Sequence, residues 1–232
     1  MRMGADEFQR RLRRAREKFG DRLLTWLTIV LVVLTFVIIP LRASGLFVMQ
    51  GYGFLVVLVM AGCILGAPAG LGAVITMLFG VALGAAAAMV RYTDNQRFGM
   101  FLEATAWITV GAALAYVVAR AVFAPGRVTY HRINGAVLLY LTIGQIFVGF
   151  YGVIDLLAPQ AFSGLEVAES PRFASDLTYL SFVTLTTIGY GDILPVHPIA
   201  RSLCTLEAII GQLYPATLLA RLVTLELEDR RQ

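Results

Sequence analysis

The chain has 232 residues, of which 58% are hydrophobic and only 15% charged, with a formal net charge of +4. So little charge on so much apolar sequence excludes a soluble domain and indicates long membrane spans. The positive balance does not indicate a nucleic-acid partner. Eight of the 19 basic residues lie in the first 22 positions and most others flank apolar runs, the pattern of positive residues held on the cytoplasmic side. Cys63 and Cys204 both fall in apolar runs, which leaves no basis for a disulfide framework or a metal site.

Residues 1–22 form a basic amphipathic segment with Phe8, Leu12, Ala15 and Phe19 on one helical face. Two readings stay open: a cytoplasmic helix lying on anionic lipid, or a solvated helix. Leu23 to Ile39 is the first apolar span. It is long and no small-residue cleavage site follows, so a retained helix is expected rather than a signal peptide. Leu46 to Gly66 and Ala69 to Val90 are the second and third spans. Gly62, Gly66 and Gly70, then Gly80 and Gly84, have the spacing that lets helices approach closely. Arg91 to Gly99 is a polar loop, and Phe101 to Val122 is the fourth span. Residues 23–123 are thus expected to form a four-helix peripheral domain.

The fifth span runs from about Ile133 to Leu157, and an irregular stretch follows to Arg172. Residues 175–186 read as a helix of about a dozen residues, with Ser175 as cap and Asp176 at the positive end of the dipole. That is too short for a bilayer core of ~30 Å, so a re-entrant segment is expected. Ile199 to Leu225 is the sixth span, and 226–232 a short charged cytoplasmic tail, too short to be a ligand-binding domain. Glu207 lies well inside the last span, where a carboxylate is costly and needs a partner. Two placements stay open: against hydroxyls such as Thr184 on the back of the short helix, or facing a cavity.

Between the short helix and the last span stands Thr186-Thr187-Ile188-Gly189-Tyr190-Gly191-Asp192. This run resembles the TVGYG selectivity filter of tetrameric potassium channels, with Ile188 in place of valine. A dehydrated cation needs rings of backbone carbonyls, and aligning consecutive carbonyls takes backbone angles that glycine tolerates. The resemblance covers residues 133–225, as outer helix, pore helix 175–186, filter 187–191 and inner helix 199–225. It implies K+ coordination by the carbonyls of Thr187, Ile188, Gly189 and Tyr190 and by the Thr187 hydroxyl. Gly191 completes the filter, and Thr184, Thr186, Asp192 and Tyr179 support it. It also implies four copies around one axis, K+ as permeant ion and no other cofactor.

Pro195, Arg201 and Gly211 sit at spacings similar to those of simple bacterial members. In that family the glycine matching Gly211 is a hinge of the inner helix, and Pro215 four residues later is expected to kink it. This chain departs from many relatives by carrying Tyr179 and Leu180 where they pair aromatics. Val183 stands where some carry a buried acid. In voltage-gated members the fourth helix carries arginine at every third position, whereas here it holds only Arg120, so steep voltage sensing is not expected.

With six spans and the N-terminus in the cytoplasm, fourteen basic residues fall inside and five outside, which agrees with the positive-inside rule. The expectation is an all-α, multi-pass protein of the cell membrane. Both termini are cytoplasmic, and the chain is a homotetramer bathed in lipid that conducts K+ passively. No catalytic constellation appears, since His131 and His197 are isolated, so an enzyme is not expected. The rival readings are a membrane scaffold or sensor with a poorly conducting pore, and a K+ transporter subunit with a filter-like loop.

Overall fold

The computed structural model describes residues 24–46, 71–90, 96–123, 130–165, 170 and 172–230. The basic segment 1–22, the second span with Cys63, Gly62 and Gly66, and Gly70, Glu166 and Glu169 lie outside the described residues.

The architecture is mostly helical. We label the helices α1 (Leu24–Ala43), α2 (Leu71–Val90), α3 (Gln96–Val122), α4 (Tyr130–Leu157), α5 (Phe173–Leu185) and α6 (Pro198–Arg230). Two-residue strands β1 (Phe162–Ser163) and β2 (Leu194–Pro195) pair antiparallel. Among the described residues, five helices are long and apolar enough to cross a membrane: α1, α2, α3, α4 and α6. The sixth expected span is the undescribed second one.

Several boundaries differ from expectation for local reasons. α1 continues four residues past Ile39, through a π-helical turn at Leu34–Ile38. Pro40 has no N–H to give the carbonyl four residues back, and the Ile39 N–H instead reaches the Leu34 carbonyl. This wider turn carries Thr35 into the interior, where it is 3% exposed and accepts a 3.0 Å hydrogen bond from Gln145 Nε2 of α4. Phe36, on the same turn, meets Phe182 of α5 edge-on with ring centroids 5.2 Å apart. α5 starts at Phe173, not Ser175; Ser175 lies inside its first turn, and the N-cap position is Arg172, without a side-chain cap bond. Ser170 takes that part: its Oγ accepts the Arg172 N–H at 3.2 Å and its carbonyl the Phe173 N–H at 3.1 Å. Burial of the Phe173 ring fixes the earlier start. α6 does not end at Leu225 but runs to Arg230, and the helix continues through Pro215.

Two apolar clusters hold these elements. One joins α1, α2, α3 and α4 through Leu31, Met77, Val110, Leu114 and Leu138. The other gathers Phe147, Tyr151, Phe162, Phe173 and Leu177, with Ala200, where α4, β1, α5 and the start of α6 meet. The β1–β2 pair joins the stretch the sequence reads as irregular to the segment before α6. It registers Phe162 on Pro195 and Ser163 on Leu194, and the Ala161 carbonyl accepts the Val196 and His197 N–H groups. The segment before α5 is thereby tied to the segment after the glycine loop.

Candidate functional site

The loop 186–192 grows directly from the end of α5. Thr186 caps the helix, its N–H returning to the Phe182 carbonyl. The Thr187 N–H bonds the Thr184 carbonyl at 2.9 Å and the Ile188 N–H bonds the Val183 carbonyl at 2.8 Å. These two bonds are the pair that defines a Schellman C-cap, whose left-handed position usually holds glycine. Here it holds Thr187, with φ of 59°. A β-branched residue there is strained by about 1–3 kcal/mol, the kind of cost found at functional loops.

Left-handed backbone recurs at every second residue: Thr187 at 59°, Gly189 at 55° and Gly191 at 82°. No side-chain crowding demands the two glycines, because a Cβ added at either meets nothing within 4 Å; the backbone angle alone does. Alternating hand aligns successive peptide groups, N–H to one side and C=O to the other. The N–H groups of Thr187, Ile188 and Gly189 all turn back to carbonyls of α5. In a trans peptide the C=O opposes the N–H, so the carbonyls of Thr186, Thr187 and Ile188 face away from α5. The whole loop is exposed in the single chain, Ile188 by 55% and Tyr190 by 69%.

Tyr179 braces the far end of this loop. Its ring stacks on Tyr190, with centroids 6.2 Å apart and planes 4° apart, and its hydroxyl donates to Asp192 Oδ1 at 2.9 Å. One aromatic thus holds both residues, while Leu180 is buried in the apolar cluster. Arg201 Nε donates to the Pro195 carbonyl at 3.0 Å, joining two of the residues singled out by spacing. His197 Nδ1 accepts the Ile199 N–H at 3.3 Å at the start of α6. Arg120 lies against Tyr116, its guanidinium 5.8 Å from the ring centroid.

One sequence expectation changes here, and a second residue gains a packing role. Glu207 does face the back of α5, and is 0% exposed, but its partner is not the Thr184 hydroxyl. Ser181 Oγ lies 2.6 Å from Oε1, and the Tyr151 phenol contacts Oε2. Ser181 is one turn behind Thr184, and Tyr151 is 56 residues away in sequence, so helix spacing alone did not single them out. Gly211 is a hinge candidate by the family resemblance. A Cβ there collides with the Leu185 carbonyl at the end of α5, so a close helix contact already requires glycine. The same carbonyl accepts the Tyr140 hydroxyl at 3.2 Å, and Tyr214 Oη donates to the Ala136 carbonyl at 2.7 Å. Pro215 is exposed.

Apolar helices long enough to cross a membrane, a short helix and a glycine-alternating loop define the class as a mostly helical membrane protein. Residues 135–227 match a family model described as "Ion channel". Three relatives are similar over parts of this chain. The inward rectifier potassium channel Kirbac3.1 of Paramagnetospirillum magnetotacticum is 38% identical over 71 residues, 29% of this chain and 24% of that protein. Protein LctB of Bacillus caldotenax is 32% identical over 92 residues, 36% of this chain and 64% of that protein. Protein LctB of Geobacillus stearothermophilus is 44% identical over 48 residues, 21% of this chain and 35% of that protein. The matches span less than two thirds of each relative, and no solved structure matches. Together they make residues 135–227 similar to an ion-channel region, and one of the relatives is named as a potassium channel.

Proposed function

We propose that this chain is one subunit of a potassium-selective channel that conducts K+ passively across the cell membrane. The observation that carries the reading is the alternating backbone of Thr187, Gly189 and Gly191, with successive carbonyls turned away from α5. One chain offers one stripe of oxygens, and a ring needs several. Four copies close it, with the carbonyls of Thr187, Ile188, Gly189 and Tyr190 and the Thr187 hydroxyl as ligands. The hydroxyl explains why threonine is kept at a strained position where glycine is easier.

The exposure of the loop and of α6 favours assembly. Leu206, Ile209, Leu213, Leu219 and Val223 of α6 are all about half exposed or more, and in four copies part of this face packs on a neighbour while part lines the path. At 13 residues, α5 is about 20 Å long against a core of ~30 Å and enters from one side. Six spans, cytoplasmic termini, residues 23–123 as a peripheral domain and weak voltage dependence complete the proposal. Gating bends α6 near Pro215, below the tight Gly211 contact. Lipid surrounds the assembly, and nucleic acid has no part in it.

Cation flux from liposomes containing the full-length protein tests the reading, with potassium and sodium gradients compared and Gly191→Ala as control. The expected result is potassium flux well above sodium flux, lost in the variant because alanine is strained at a φ of 82°. Equal potassium and sodium flux, or flux indifferent to the substitution, overturns selectivity. Silence of the wild type under all gradients favours the scaffold reading.

A further inference from the structure

The three oxygen–oxygen contacts in the cluster around Glu207 outnumber the two hydroxyl hydrogens available to them. Ser181 Oγ is 2.6 Å from Glu207 Oε1 and 2.9 Å from the Gly144 carbonyl oxygen of α4. The Tyr151 phenol lies against Oε2. A hydroxyl carries one hydrogen, a carbonyl only accepts, and an ionised carboxylate only accepts. For both Ser181 contacts to be hydrogen bonds, its one hydrogen must go to Gly144, whose carbonyl cannot donate in return. The Tyr151 hydrogen goes to Oε2. The remaining contact, Ser181 Oγ to Oε1, then needs a hydrogen from the Glu207 side. The count closes when Glu207 is a carboxylic acid that donates from Oε1 to Ser181 and accepts at Oε2 from Tyr151.

The surroundings suit a neutral group. Glu207 is fully buried, and among the described residues the titratable side chains facing it are Tyr140 and Tyr151 of α4 and Cys204 of α6 itself. We propose that Glu207 is a protonated clamp, a positioning residue that holds α6 to the back of α5 and to α4. Ser181 sits four residues before the end of α5, so the clamp sets where the loop 186–192 begins. Gly144 makes room for the arrangement, since its missing Cβ faces the Phe182 ring at 3.0 Å.

Infrared difference spectroscopy of the full-length protein in lipid at neutral pH tests the proton. The wild type minus Glu207→Gln spectrum is expected to show loss of a carboxylic-acid carbonyl band. That band is expected at higher frequency in Tyr151→Phe, which removes the donor to Oε2. Loss of the paired bands of an ionised carboxylate instead overturns the clamp. Should Glu207→Gln fail to fold, the wild type and Tyr151→Phe comparison decides, and a protonated-acid region identical in both overturns it.

The flux arm alone rests on the pore reading. Glu207→Ala is expected to lower potassium flux about tenfold, the scale of leaving buried partners unpaired. Glu207→Gln, with a donor and an acceptor, is expected to recover most of it. Equal losses in both overturn the clamp and assign the need to charge. A silent wild type with the expected infrared bands counts against the pore and leaves the clamp standing.

Discussion

Helices α4 and α6 are both apolar spans of the same chain, yet their surroundings differ sharply. In α4, 56% of the spanning window is buried inside the chain; in α6 the share is 17%. α4 is sheathed by α1, α3 and α5, and it contributes the buried partners Gln145 and Tyr151 to helices on either side. α6 touches its own chain along one narrow face, Glu207, Gly211 and Tyr214. An apolar helix with one polar-locked edge and a bare remainder is built to receive neighbours other than its own chain. The lesson is that hydropathy identifies a span, whereas burial within one chain tells whether its packing is finished.

The largest expected effect on this comparison comes from Gly211→Ala, which forces a Cβ into the Leu185 carbonyl. Overpacking of this kind costs about 1–3 kcal/mol. Thermal unfolding in detergent is expected to show the loss, together with loss of potassium flux. Unchanged unfolding would return Gly211 to the hinge reading. On the α4 side, Thr35→Val removes the acceptor of the buried Gln145 amide and is expected to cost about 1–3 kcal/mol. A neutral result in the same assay would mean that α1 is not locked to α4 through the π turn.

Smaller effects sharpen the contrast. Tyr179→Phe keeps the stack on Tyr190 and deletes the bond to Asp192. The expected change in stability is about 0.5–1.5 kcal/mol at most. Its main readout is potassium over sodium flux, which falls if Asp192 needs the phenol to hold the end of the loop. The gentlest test changes little energy and reads proximity. In a Cys63→Ala, Cys204→Ala background, Leu213→Cys on exposed α6 is expected to cross-link between chains, and Val137→Cys on the exposed edge of α4 is not. Cross-linking at both positions or at neither would erase the distinction between the two helices.

The loop was legible in the sequence because its geometry is local. Gly189 and Gly191 lie where a left-handed backbone is needed, and glycine is the residue that adopts it at little steric cost. The described spans were legible for a similar reason, since apolar length is a one-dimensional property. Errors arose where a residue's role depends on distant partners. Ser175 looks like a cap, but burial of Phe173 starts α5 two residues earlier. Pro40 looks like the end of α1, but a π turn carries the helix past it. A proline near the end of an apolar run was the available signal for that turn.

The sequence by itself determined the membrane class, the short helix before a glycine-alternating loop, and a buried acid in search of a partner. Those follow from backbone stereochemistry and from the cost of polar groups in hydrocarbon, which act residue by residue. Only the tertiary structure decided that Glu207 meets Ser181 and Tyr151, that Gly211 lies under the Leu185 carbonyl, and that Phe36 of the first helix touches Phe182 of the short one. These pairings join residues up to 146 positions apart. Which surfaces meet is set by packing the whole set of helices together, a condition that no single stretch of chain contains.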